Sequence, residues 1–201
     1  MKRIVLIMFS VYFSVFSTWL SADTRSWKIV ELTGKVSIVR PGYFARLVTV
    51  GDTFSPGDIL KTKFRSHAFL VRGKESLIVQ ANSQLILPKG KNSKENTLFF
   101  HSLGTSLFSV EKRNKQHFKV ESRYGAALVK GTTFATNVNT IDFAVQVFEG
   151  QVSVSKKQFQ VAIDVNPGEK TRVDNSSNSQ PSVSKAVDSN NSQQHFGNNV
   201  S

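Results

Sequence analysis

Period-two alternation runs through the chain from Trp27 to Val173 and constrains its fold more than any other feature. In "KVSIV", Val36 and Ile38 point one way and Ser37 the other. "SLIVQ" does the same with Leu77 and Val79, and "HFKVES" with Phe118, Val120 and Ser122. "FAVQVF" places Val145 and Val147 on one face, "QVSVS" Val152 and Val154, and "FQVAIDV" Phe159, Val161, Ile163 and Val165. Alternating faces suit a half-buried strand, whereas an amphipathic helix needs apolar residues three and four apart, a spacing almost missing here. Turn signals separate the runs: Pro41-Gly42, Gly51-Asp52, Pro56-Gly57-Asp58, Arg72-Gly73-Lys74, Lys89-Gly90-Lys91, Gly104, Gly125, Gly131, Gly150 and Pro167-Gly168. Short strands punctuated at a spacing of about 8–12 residues predict an all-β domain. Its aromatic residues are 16 Phe against 2 Trp and 3 Tyr. Phe has no polar tip to satisfy, so this choice favours filling a core over stacking a ligand.

The two ends of the chain read differently. Met1-Lys2-Arg3, the apolar run Ile4–Leu20 and the small residue Ala22 form the pattern of a secretory signal peptide over residues 1–22, an N-terminal signal helix cut after Ala22. The alternative is an uncleaved anchor that tethers the domain to the inner membrane, since the run is close to the lower limit of about 17–25 residues for a span. Export without any cysteine requires a domain held by its own core rather than by disulfides. From Asp174 to Ser201 the sequence turns to Ser, Asn and Gln. Such a composition buries too little surface to offset ordering entropy, so residues 174–201 are expected to be a disordered tail.

The formal net charge is +12, and without Lys2 and Arg3 the remaining 24 basic residues face 14 acidic ones, a net +10. A positive surface attracts anionic partners in a salt-dependent way. Nucleic acid is the usual partner of so basic a chain, but export argues against it. Two runs concentrate the charge: "PKGKNSK" carries Lys89, Lys91 and Lys94, and "EKRNKQHFK" carries Lys112, Arg113, Lys115 and Lys119. On one edge they would form a strip for an anionic polymer or lipid, or for an acidic protein face. Read more plainly, they are solvated loops whose lysines guard strand edges.

No motif marks catalysis, a cofactor or a metal. His67, His101, His117 and His195 show no ligand or triad spacing, and no Gly-x-Ser-x-Gly elbow is present. Asp52 and Asp58 resemble a carboxylate pair, yet both sit in glycine turns where Asp bonds its own backbone. "VKGTTFATNV" has a glycine followed by hydroxyls, but a phosphate loop also needs a following helix and a Lys-Ser/Thr pair. Here Gly131 permits a bulge or tight bend, Thr132 bonds locally and Phe134 enters the core.

"GKVSI" at Gly34 resembles "GQVSV" at Gly150, and "FSPGDIL" resembles "VNPGEKT". Recurrence of a glycine, a strand and a Pro-Gly-acid turn suggests a solenoid-like stack of short β rungs. The order of motifs also resembles the FecR domain over residues 27–173: "TGKVSIVRPG", "VGDTFSPGDILKT", "SHAFLV", "SLIVQANSQLIL", "LFFHSLGTSLFSV", "FKVESRYGAALVKGTTFATNV", "VFEGQVSV" and "VNPGEKTRV". The resemblance implies a β-rich, solenoid-like domain in which Gly34, Gly51, Gly57, Asp58, Gly104, Gly131, Thr132, Phe134, Gly150 and Gly168 are fold positions. FecR-type regulators place a sigma-controlling segment ahead of their membrane span, whereas only Met1, Lys2 and Arg3 precede the apolar run here. The expectation is a stand-alone, exported, periplasmic FecR domain that binds an envelope protein or an anionic envelope polymer or lipid without catalysis. A signalling component acting in trans with a membrane partner is the alternative.

Overall fold

The computed structural model of the chain describes residues 26–90, 96–157, 162–175 and 181–186. Every regular element among them is a strand. The first eight are β1 (Trp27–Thr33), β2 (Val36–Val39), β3 (Arg46–Leu47), β4 (Thr53–Phe54), β5 (Ile59–Thr62), β6 (His67–Arg72), β7 (Glu75–Val79) and β8 (Gln84–Ile86). Then come β9 (Thr97–Ser109), β10 (Phe118–Glu121), β11 (Gly125–Val129), β12 (Thr133–Val138), β13 (Asp142–Glu149), β14 (Val152–Lys156), β15 (Ala162–Val165), β16 (Glu169–Asp174) and β17 (Ser182–Lys185). The all-β expectation holds.

The strands form one mixed sheet that the 13-residue β9 bends into two facing ribbons. One ribbon runs β4-β1-β6-β7-β9-β12-β13-β16-β17, with every neighbour antiparallel. The other runs β3-β2-β5-β8-β9-β10-β11-β14-β15 and is antiparallel except where β10 lies parallel to β9. The first half of β9 serves the second ribbon and its last residues the first. The bend is at Gly104, whose φ is +88° and whose Cβ, were there one, would lie 2.6 Å from the Ser83 Cα. Only glycine meets both conditions without strain.

The core lies between the ribbons and explains the Phe bias. Trp27, Phe54, Phe99, Phe108, Phe118 and Phe134 are all fully buried. Phe99 and Phe108, from the two halves of β9, meet at 5.7 Å between centroids, and Phe108 stacks on Phe134 at 5.1 Å. Phe118, on the same ribbon as Phe99 and 5.6 Å from it, also lies 5.6 Å from Phe108 across the core. Such contacts add about 0.5–1.5 kcal/mol each beyond the area they bury.

Three turns share one construction. In 49–52, 55–58 and 166–169 a glycine with φ between +80° and +102° sits third. An acid sits fourth, and its carboxylate accepts the N–H of the first residue: Asp52 from Thr49, Asp58 from Ser55, Glu169 from Asn166. This is the type II geometry with a side chain closing the loop. Asp52 and Asp58 each also take an arginine, Arg46 and Arg40. The Arg46 hydrogen bond, with that from Thr49, holds the Asp52 carboxyl below its ordinary range.

Residues 1–25 lie outside the described residues, and with them the signal-helix expectation. The tail expectation needs one correction. Ser182–Lys185 form β17 on the edge of β16, inside the stretch read as disordered. Their side chains are exposed, so composition gave no sign of order. The unpaired backbone of β16 supplies it, with Thr171 Oγ1 donating to the Ser182 carbonyl at 2.9 Å.

Antiparallel order sends the strand ends to two rims. One rim carries the start of β1, the β2–β3 and β8–β9 loops, and the β4–β5, β6–β7, β9–β10, β11–β12, β13–β14 and β15–β16 connections. The other carries Gly104 and the remaining turns between paired layers.

Candidate functional site

Because β9 doubles back, its two ends meet on the first rim, and the 110–117 loop runs along that rim to β10. Backbone bonds fix this loop: Val110 N–H to the Thr132 carbonyl at 2.9 Å, Arg113 to Lys130 at 2.9 Å, His117 to Val129 at 3.2 Å. Beneath it a trough of about 540 Å³ is lined by Lys112, Lys130, Gly131, Thr132, Glu149 and Gly150, among others. It abuts at Gln116 and Leu128 a second hollow of about 450 Å³ that reaches Thr97, His117 and Lys119. Gly131 and Gly150 allow the close approach. A Cβ on Gly131 would sit 2.7 Å from the Lys112 Cβ, and one on Gly150 would sit 2.6 Å from the Gly131 carbonyl oxygen. Thr132 is buried with its hydroxyl unpaired among the described residues.

A charged cluster is buried behind the trough. Arg72 pairs with Glu75 across the β6–β7 turn, donates to Thr97 Oγ1 at 2.5 Å, and lies 4.6 Å over the Trp27 ring. Glu75 is 2% exposed, and its Oε1 is 3.4 Å from His117 Nε2 and 4.0 Å from Arg113. His117 Nδ1 faces the Lys115 carbonyl at 3.2 Å, a contact that requires an N–H there. His117 Nε2 faces the carboxylate, and among the described residues neither it nor Glu75 Oε1 has a hydrogen bond. The contact links the β6–β7 turn to the 110–117 loop.

The structure thus gathers Lys112, Gly131, Thr132 and Gly150, with Arg113 and Lys115 on the same loop. Phe134 is core, and a register shift between Thr133 and Phe134 lies just beyond Gly131. Lys119 points outward in a 2.6 Å pair with Glu121. Lys89 is on the same rim, but several strands away beside Gly57. Lys91 and Lys94 lie outside the described residues. Gly34, Gly51, Gly57 and Gly168 each take a positive φ at a turn, and none lines the trough. Sequence reading missed Arg72 and Glu75, because "RGKE" between two strands reads as an exposed hairpin turn. The pair is covered by residues distant in sequence: Trp27 and Thr97 at Arg72, His117 and Arg113 at Glu75. Among the described residues no group of His, Asp and Glu could hold a metal ion.

Residues 59–153 match the family model described as FecR protein. No curated protein matches the sequence. A crystal structure at 1.65 Å of a Parabacteroides distasonis ATCC 8503 protein described as a candidate anti-sigma factor superposes with a TM-score of 0.54 at 19% identity. The alignment covers 63% of this chain and 59% of that one, so this chain spans less than two thirds of its neighbour. A 2.50 Å structure of the same description gives the same values. That likeness is one of fold, whereas the family match, just under half of the chain from the start of β5 into β14, takes in the 110–117 loop and most of the trough: it is consistent with a FecR domain-containing protein.

Proposed function

We propose that the chain is an exported, non-catalytic recognition module of the cell envelope that works in FecR-type signalling, gripping a protein partner in the trough under the 110–117 loop. The observation that carries this reading is the trough itself. Its walls mix Lys112 and Lys130 with Glu149 and Asp164, which suits a peptide segment bearing both charge signs better than a uniformly anionic polymer. The neighbouring fold, described as a candidate anti-sigma factor, supports a regulatory role, and the apolar run Ile4–Leu20 supports export. A solenoid-like reading of the architecture goes with it. Pairings of a strand with the third one on, β1–β4, β2–β5, β5–β8, β9–β12, β11–β14 and β13–β16, recur along the chain.

Affinity capture from envelope extracts with the full chain tests the proposal. A co-purifying protein should be lost with the Lys112→Glu/Lys130→Glu variant and retained with Lys63→Glu on the opposite rim. Equal capture by both variants would remove the trough from the interface. Salt-sensitive sedimentation with isolated sacculi, without a protein partner, would replace the reading with binding to an anionic polymer.

A further inference from the structure

We propose that the rim where the chain joins β1 is a docking surface for an anionic lipid bilayer, with Tyr43 and Phe44 seated in the headgroup region. Phe44 is 99% exposed and Tyr43 73%, and the two adjoin Arg40 at the end of β2. Large aromatic side chains held fully in water need a reason, and an interfacial location is the one that suits an aromatic pair beside cations.

Two further observations choose lipid as the occupant. The first is where the chain arrives. Ser26 Oγ is 2.9 Å from Ser55 Oγ, the Ser55 N–H binds Asp58, and Asp58 binds Arg40 at 2.7 Å. The start of β1 and the Tyr43–Phe44 loop therefore sit together. The apolar run Ile4–Leu20 ends six residues before Ser26, and six residues reach at most about 20 Å. A chain that keeps this run in a bilayer holds this rim near the surface. The opposite rim stands one strand length further off, about 23 Å for the seven residues of β1. The second is charge. Lys74, Lys89, Lys112 and Lys130 are all exposed along the same rim, and anionic headgroups attract such lysines. Phe64 and Ile141, 70% and 71% exposed, lie in turns of the opposite rim, which makes them internal controls.

The chain has no cysteine, so Phe44→Cys, Phe64→Cys and Ile141→Cys each accept one environment-sensitive fluorophore in the full chain. Any membrane attachment through residues 4–20 is common to all three, so only the position of the label separates them. With vesicles of phosphatidylglycerol and phosphatidylethanolamine, the label at 44 should brighten and shift to the blue while those at 64 and 141 stay unchanged. The Lys89→Gln change should weaken the response at 44 about fivefold, as expected for one lysine at an anionic surface. No response at 44, or an equal response at all three positions, overturns the proposal. A response at 44 that grows with protein concentration in the absence of vesicles overturns it in favour of a second copy of the chain. The response at 44 is read on vesicles with no protein partner present, and partner capture is read with no vesicles, so the two proposals fail separately.

Discussion

His101 and His117 are buried to nearly the same degree, 0% and 3% exposed, on opposite rims, yet they face different chemistry. His101 sits near the bend of β9. Its Nδ1 is 2.7 Å from Thr136 Oγ1 and its Nε2 3.5 Å from Ser106 Oγ. Hydroxyls can donate or accept, so a neutral ring is satisfied at both nitrogens. Burial pushes its pKa down to about 4, opposed in part by a backbone bond at Leu103. His117 instead faces the Glu75 carboxylate, which can only accept. The pair shows that burial alone does not make a histidine functional. What matters is whether the neighbours pair with both ring nitrogens, as they do for His101 and not for His117 Nε2 among the described residues.

The largest effect tests the charged side of the comparison. Glu75→Ala leaves Arg72 buried without its partner and should destabilise the domain by about 3–5 kcal/mol, read by urea unfolding. A loss below 1 kcal/mol would mean that Arg72 finds solvent and that the cluster is not the rigid base of the 110–117 loop.

The neutral side is tested by pH. His101 has a folded pKa of about 4 against 6.5 unfolded, so the unfolded chain binds the proton first. Stability is therefore unaffected by this group above about pH 6.5 and falls as pH drops toward 4, by about 3 kcal/mol in total. His101→Gln should flatten that slope, whatever its own baseline stability. An unchanged slope would assign the acid sensitivity elsewhere. Thr136→Val is smaller. It removes one hydrogen bond and strands a buried ring nitrogen, at a cost of about 1–3 kcal/mol.

Strand content, turns and the Phe core were legible because each is local. Alternation says which residues share a face, and Gly-acid turns say where a strand stops. The division into two ribbons was not legible, since alternation does not say which sheet a face belongs to. Nothing in "LFFHSLGTSLFSV" reveals that Gly104 is a fold line rather than an ordinary turn. The glycines of the trough were visible as necessary positions, but what approaches them was not: the nearest contact of Gly131 is Lys112, on a separate loop. β17 escaped because its order comes from a neighbour's backbone rather than its own side chains.

The smallest expected change bears most directly on the difference between the two histidines. His117→Gln keeps a nitrogen near the Nε2 position and carries amide N–H donors, so Glu75 Oε1, without a hydrogen bond among the described residues, gains one. It gives up the contact of Nδ1 with the Lys115 carbonyl. Gain and loss are each about 1 kcal/mol, so the net should be within about 1 kcal/mol of zero. Amide exchange should slow at Arg113 and His117, whose N–H groups hold the loop to Lys130 and Val129. His101→Gln offers no comparable gain, because both of its ring nitrogens already have hydroxyl neighbours. If the two Gln variants lost equal stability, the contrast between a satisfied and an unsatisfied histidine would fail, and the 110–117 loop would have to be held by its backbone bonds alone.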